Sequence, residues 1–373
     1  MRYMSQHEYA VTKAQDAMKK SRIEALVLSL GVNCYYFTGV SKLPSERLLM
    51  TIIPKKGSPV VITPAFEEEI VRNSSKIKLG SVKTWQEHEN PYEVAKKAFS
   101  EIGTTGIVGM DGRFEYRFSK RLEQAMPDVR FELADDLISS LRIAKSMEEL
   151  DLMKQACKCV AAGIKAGFES VAVGRTELEC TKVIFEAITK AGGSSPSIGG
   201  LRSGAVTALP HGVASDKVIK KGEMILIDMA AAYKYYRGDM TRMAVVGEPT
   251  DKMKKVYKIV LDAQLKAIKT EKAGIEAQEV DRVARRVISD AGFGPNFTHR
   301  VGHGIGLETH EEPYIVEGNN LKLRPGMCHS IEPGIYLLEE WGIRIEDIVV
   351  VTGTGVEILS EGLYPKEEIT VLP

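Results

Sequence analysis

Asp228, Asp239, His303, Glu332 and Glu346 are the side chains of this sequence whose types and spacing could do chemistry together. Four of the five are carboxylates. Like charges repel, so a folded chain gathers four acids in one place only if cations neutralise them. Four carboxylates carry −4 and two divalent cations carry +4, which makes a two-metal site for hydrolysis the natural reading. Oxygen-rich ligation with a single imidazole suits manganese, cobalt, iron or zinc better than copper. Any one of these acids alone would be an ordinary surface residue.

Local sequence says how they could meet. Asp228 ends the apolar run Met224 to Asp228, and Asp239 follows eleven residues later, ahead of Met240 to Val245. A hairpin turning through Lys234 to Gly238 would set both aspartates on one face of neighbouring strands. Glu332 follows His329-Ser330-Ile331 and precedes Pro333-Gly334. Glu346 enters a valine-rich stretch fourteen residues on, a spacing that suits a second hairpin. His303 lies in Gly302-His303-Gly304-Ile305-Gly306, where glycine permits close backbone approach.

The remaining elements frame these segments. The first third reads as α/β, with a helix over 6–21, a buried strand over 24–30, a hairpin from 47–53 and 59–63, a helix over 91–101 and a strand over 106–111. A long helix starts near Ser146, where Leu150, Met153, Cys157, Val160 and Ile164 form one apolar stripe. Thr176 to Glu179 is a capping box for another helix. Helical patterns recur over 250–269 and 277–291, with strands over 224–229, 240–246, 329–332 and 343–351 between and after them. Pairs of helices around antiparallel strands predict an α+β unit with a curved central sheet.

The chain has 373 residues, which points to two domains, divided as 1–138 and 139–373. Lys+Arg and Asp+Glu are both 50, so no basic excess supports nucleic-acid binding. No apolar run reaches the roughly 18 residues of a membrane span, and the N-terminus lacks a signal-peptide core. Five cysteines without framework spacing imply reduced thiols and a cytoplasmic location. His310-Glu311-Glu312-Pro313 is not the helical His-Glu-x-x-His motif, and no Gly-x-Ser-x-Gly elbow occurs.

Five segments carry a resemblance: Ala208 to Gly212, Ile227-Asp228 with Gly238 to Arg242, Gly302 to Glu311, Ile331 to Tyr336, and Gly342 to Asp347. In order and spacing they resemble the prolidase and Xaa-Pro aminopeptidase family. The N-terminal third is similar to that family's creatinase-type domain through Asn33 to Gly39. The resemblance implies an α/β N-terminal domain and an α+β pita-bread (creatinase/aminopeptidase-like) catalytic domain. It implies two divalent ions, manganese or cobalt ahead of zinc or iron, and a homodimer acting on small peptides with proline second. By position, Asp228 would chelate one metal, Asp239 and Glu346 would bridge both, and His303 and Glu332 would bind the second. Glu332 would also shuttle the proton, His310 would steady the oxyanion, His211 would contact substrate, and Arg344 would be an orienting or substrate-binding group.

One departure stands out. Dipeptidases of the family often place an arginine after the His-Glu-x-Pro run to hold a dipeptide's carboxylate, and Tyr314 occupies that place here. The missing clamp weakens a strict Xaa-Pro dipeptidase reading and leaves room for an Xaa-Pro aminopeptidase acting on longer peptides, although Arg344 or a cation from a partner subunit could substitute. The rival readings are another amide or amidine hydrolase on the same fold and a non-catalytic binding module. The complete ligand set argues against the latter.

Overall fold

A computed structural model describes residues 4–42, 45–197 and 199–373. The chain divides into two compact units, Met1–Arg142 and Ile143–Pro373. A cut between 138 and 139 would fall inside the helix Asp135–Arg142. That helix stays with the first unit because Ile138 and Leu141 are buried and Tyr36 Oη donates to the Leu141 carbonyl at 2.8 Å.

The first unit is a six-stranded mixed sheet in the order β4-β3-β2-β1-β5-β6. Its strands are β1 (Ile23–Ser29), β2 (Met50–Pro54), β3 (Val60–Pro64), β4 (Ser81–Trp85), β5 (Ile107–Met110) and β6 (Arg130–Leu133). Its helices are α1 (Gln6–Lys19), α2 (Val32–Thr38), α3 (Glu68–Ser74), α4 (Pro91–Glu101), α5 (Tyr116–Ala125) and α6 (Asp135–Arg142). The hairpin expected from 47–53 and 59–63 is β2-β3, antiparallel with Met50 opposite Ile62. Helix α4 begins at Pro91, where the Asn90 side chain accepts from the Tyr92 amide at 3.0 Å.

In the second unit, helices α7 (Met147–Ser170) and α8 (Glu177–Lys190) both open on capping boxes, at Ser146 and Thr176. The stripe from Leu150 to Ile164 on α7 is buried as its spacing predicts. Strands β7 (Gly200–Ser203), β8 (Met224–Tyr233), β9 (Tyr236–Val246) and β17 (Thr370–Leu372) form one sheet, ordered β17-β9-β8-β7. Helices α9 (Asp251–Thr270) and α10 (Ala277–Asp290) follow β9. A second sheet, β11-β10-β12-β15-β16, contains β10 (Gly302–Gly304), β11 (Glu311–Ile315), β12 (Cys328–Ile331), β15 (Asp347–Val351) and β16 (Val356–Ile358). Strands β13 (Gly334–Leu337) and β14 (Trp341–Arg344) pair separately.

The long hairpin β8-β9 positions the site. Its turn is only Lys234-Tyr235, both with positive φ (45° and 76°), the geometry of a tight hairpin whose twist matches its strands. Alternate residues of the two strands serve two cores. Ile225, Ile227 and Met240 pack on the α7-α8 side, while Met224, Leu226, Met243 and Val245 pack with α9 and α10. By the same period of two, Asp228 and Asp239 lie on the α9-α10 side, farther along the strands. Gly238 is required where β9 crosses α7, since a Cβ there would collide with the backbone of Cys157.

Candidate metal centre

Asp228 stands opposite Thr241, and Asp239 stands opposite Ala230. Residues two apart share a face, so the two aspartates are diagonal neighbours. Glu332 and Glu346 reach the same place by a different route from the hairpin expected. Ile331 pairs with Asp347 at the end of the β12-β15 ladder, so the two glutamates lie just beyond it. Between them the chain leaves the sheet to form β13-β14, which splits the strand expected over 343–351. His303 sits mid-strand in β10, opposite Tyr314 on β11. Its flanking glycines admit that strand: a Cβ at Gly302 would strike the Ser330 carbonyl, and one at Gly304 the Glu312 backbone.

Asp239, His303 and Glu346 each offer a ligand atom, all within 4.8 Å of one another and all buried. Glu332 lies at the edge of this group, its Oε1 3.2 Å from His303 Nε2 and accepting from Ser330 Oγ at 3.0 Å. Asp228 is held by cations of the chain, pairing with Arg344 and with Arg202 Nη2 at 3.1 Å. Thr241 Oγ1 joins both halves, donating 2.7 Å to Glu346 and lying 3.3 Å from Asp228. All five predicted ligands line one cavity of about 610 Å³, together with His211, His310 and Arg344.

Electrostatics within the cluster is uneven. Burial, and then the Asp228 charge, pushes Asp239 up to about 7. Burial raises Glu346 well above the usual carboxylate range, with Asp239 adding to it. Burial opposes the charge on Glu332 as well, but His303 and Arg344 hold it below that range. Among the described residues no lysine or arginine lies within ion-pair distance of Asp239 or Glu346, and Asp239 Oδ1 is buried without a hydrogen-bond partner. A buried carboxylate pair left this way is stable as ions only beside added positive charge. The donor set therefore fits divalent cations.

The neighbouring side chains divide by what they touch. His310 packs edge-on against His303 with ring centroids 4.1 Å apart, and burial, then the charge of His303, lowers it to about 4. Arg344 is only 3% exposed, and its donors go to Asp228, Thr241, the Pro210 carbonyl and Tyr336 Oη. That occupancy favours orientation of the carboxylates over contact with substrate. Thr241, Arg202, Ser330 and Tyr336 were not among the residues expected at the site. Thr241 and Arg202 sit two residues from a ligand or on a partner strand, so strand register was the signal that could have found them. His299 also lines the cavity, bonded to Tyr336 Oη at 2.7 Å.

Comparison with known proteins gives the same partition. Residues 11–144 match the creatinase/prolidase N-terminal domain, and residues 151–353 match metallopeptidase family M24. A Xaa-Pro dipeptidase of Pyrococcus horikoshii is 35% identical over 94% of this chain and 96% of its own length. The crystal structure of a prolidase from Thermococcus sibiricus superposes with a TM-score of 0.90 at 33% identity, covering 99% of this chain and all of that one. An X-Pro aminopeptidase from Thermotoga maritima superposes with a TM-score of 0.86 at 30% identity, over 97% of this chain and 99% of the other.

Proposed function

The chain belongs to metallopeptidase family M24, with a creatinase-type N-terminal domain and a pita-bread catalytic domain, and on that premise we propose that it is a metal-dependent exopeptidase cleaving an N-terminal residue from a following proline. The observation that carries this reading is the buried group Asp239, His303 and Glu346, with Asp228 and Glu332 on the wall of the same cavity. Asp228, Asp239 and Glu346 would hold one divalent cation, and Asp239, His303, Glu332 and Glu346 a second. Two such cations supply Lewis acidity to a scissile carbonyl and make water acidic enough to attack at neutral pH.

The chain's own groups do the rest. Glu332, kept ionised by His303 and Arg344, accepts the proton of the attacking water and delivers it to the leaving nitrogen. Burial keeps His310 neutral at pH 7, so it offers an N–H to the developing oxyanion without bringing a further charge into the site. His211 lines the cavity where the substrate backbone would lie. Arg344 and Thr241 fix the carboxylates, as outer groups around metal ligands do. A proline after the scissile bond makes a tertiary amide with no N–H, so a site that requires no such donor suits it.

Manganese or cobalt is the proposed native metal on the family resemblance, and the oxygen-rich donor set admits both alongside iron and zinc. A homodimer and a cytoplasmic location complete the proposal. The buried free thiols Cys34, Cys157, Cys159, Cys180 and Cys328 support a reducing compartment. No helix among the described residues is long and apolar enough to cross a membrane. The test is to strip the protein with chelator, reload it with manganese, cobalt or zinc, and measure bound metal alongside hydrolysis of Xaa-Pro dipeptides and tripeptides. Restored metal content without restored hydrolysis would refute the assignment.

A further inference from the structure

A dipeptide is a zwitterion, and the carboxylate cluster can account for only one of its ends. Its amine end would be taken up at the metal-loaded carboxylate centre, while its terminal carboxylate needs a cation on the cavity wall whose charge is not already spent. Arg344 does not qualify, because its N–H groups are committed to Asp228, Thr241, Pro210 and Tyr336. Arg202 is fully buried against Asp228 and the carbonyls of Leu209 and Pro210. Both ring nitrogens of His299 are bonded, to the Arg300 carbonyl and to Tyr336 Oη, at 2.7 Å each.

Arg300 differs from all of these. It lines the cavity and is partly exposed, and its guanidinium has neither a carboxylate within ion-pair distance nor a hydrogen bond among the described residues. Its guanidinium carbon lies 4.3 Å from the centre of the Tyr314 ring. Stacking of this kind satisfies the flat face of a guanidinium and leaves its edge, with the paired N–H donors, open to a carboxylate. The two residues are also anchored close to the acids. Arg300 precedes His303 by three residues, and Tyr314 is the register partner of His303 across β10-β11. A guanidinium without an ion-pair partner on the wall of the cavity that holds the metal ligands is the complement of a small peptide's terminal carboxylate.

We propose that Arg300, laid on the Tyr314 ring, receives the free α-carboxylate of a dipeptide's C-terminal proline, and thereby makes the site prefer dipeptides to longer peptides. The proposal rests on the Xaa-Pro reading above for its substrate class. Tyr314 is a positioning residue that keeps the guanidinium flat and turned to the cavity, and Arg300 makes the contact.

The test compares alanyl-proline with alanyl-prolinamide, which keeps the amine and the scissile bond but lacks the charged carboxylate. Steady-state kinetics of the metal-loaded wild type, Arg300→Met and Arg300→Lys would be run beside calorimetric binding of both ligands. In Arg300→Met, kcat/KM for alanyl-proline should fall at least tenfold more than for alanyl-prolinamide, with the loss mainly in KM. Arg300→Lys should lie between, since it restores charge but not the fork. Equal losses on the two substrates would mean a structural role and overturn the proposal. If the wild type cleaves neither ligand yet binds alanyl-proline over the amide through Arg300, the carboxylate site stands and the peptidase reading falls. Absence of both cleavage and discrimination removes both.

Discussion

Asp239→Asn should stabilise the metal-free protein, although it removes a residue proposed to hold metal. In the absence of cations, burial and the Asp228 charge raise the Asp239 carboxyl from its usual 3.8 to about 7. A group whose folded pKa exceeds its unfolded value binds protons more tightly when folded. Its native form is therefore not penalised below pH 3.8, and stability is lost progressively as pH rises through about 7. At pH 8 the penalty amounts to about three pKa units, on the order of 4 kcal/mol. An amide at this position carries no charge and removes the penalty. For a unit running from Ile143 to Pro373, that gain corresponds to a rise in Tm on the order of 10 °C. The assay is thermal unfolding of chelator-treated wild type and Asp239→Asn from pH 5 to pH 8. The difference should be near zero below pH 3.8, reach roughly a third of its full size at pH 5, grow up to about pH 7 and level off toward pH 8. Added manganese should stabilise the wild type and have much less effect on the variant. A variant less stable than the wild type at pH 8, or a difference that ignores pH, would refute the charge argument.

Three further outcomes follow from named contacts. Thr241→Val removes the hydroxyl shared by Glu346 and Asp228 and should weaken manganese binding roughly 10- to 100-fold by titration calorimetry, with the fold intact by circular dichroism. Glu332→Gln should lower kcat by roughly 10²- to 10⁴-fold on an Xaa-Pro dipeptide, because an amide cannot accept the proton; retained turnover at full metal occupancy would remove Glu332 from that role. The buried pair His329 and Glu271, 2.7 Å apart, predicts a pH effect away from the metal ligands. Burial opposes the His329 charge, but Glu271 outweighs it and raises His329 above its ordinary 6.5. The pair's contribution is therefore full below pH 6.5 and declines as pH rises through the folded value. Glu271→Gln should destabilise the protein by roughly 3–5 kcal/mol at pH 6 and by less at pH 9, measured by urea unfolding.

The acids were legible in the sequence because strand physics is local. The apolar run ending at Asp228, and the alternation after Asp239, define a hairpin in which a period of two sends both carboxylates to one face. Capping boxes at Ser146 and Thr176 mark two helix starts for the same reason, since each is closed within four residues. Glycine on either side of His303 announced a crowded strand. Tertiary structure alone decided how Glu332 and Glu346 meet, because their ladder is interrupted by the β13-β14 excursion. It also decided that Arg344 is spent on Asp228, 116 residues away in sequence, while Arg300 lines the cavity with no ion pair or hydrogen bond among the described residues. Contacts over such separations leave no periodicity in the chain. They arise only when packed sheets bring distant strands to a shared edge, where burial and competing charges settle which cation is committed and which is left for a ligand.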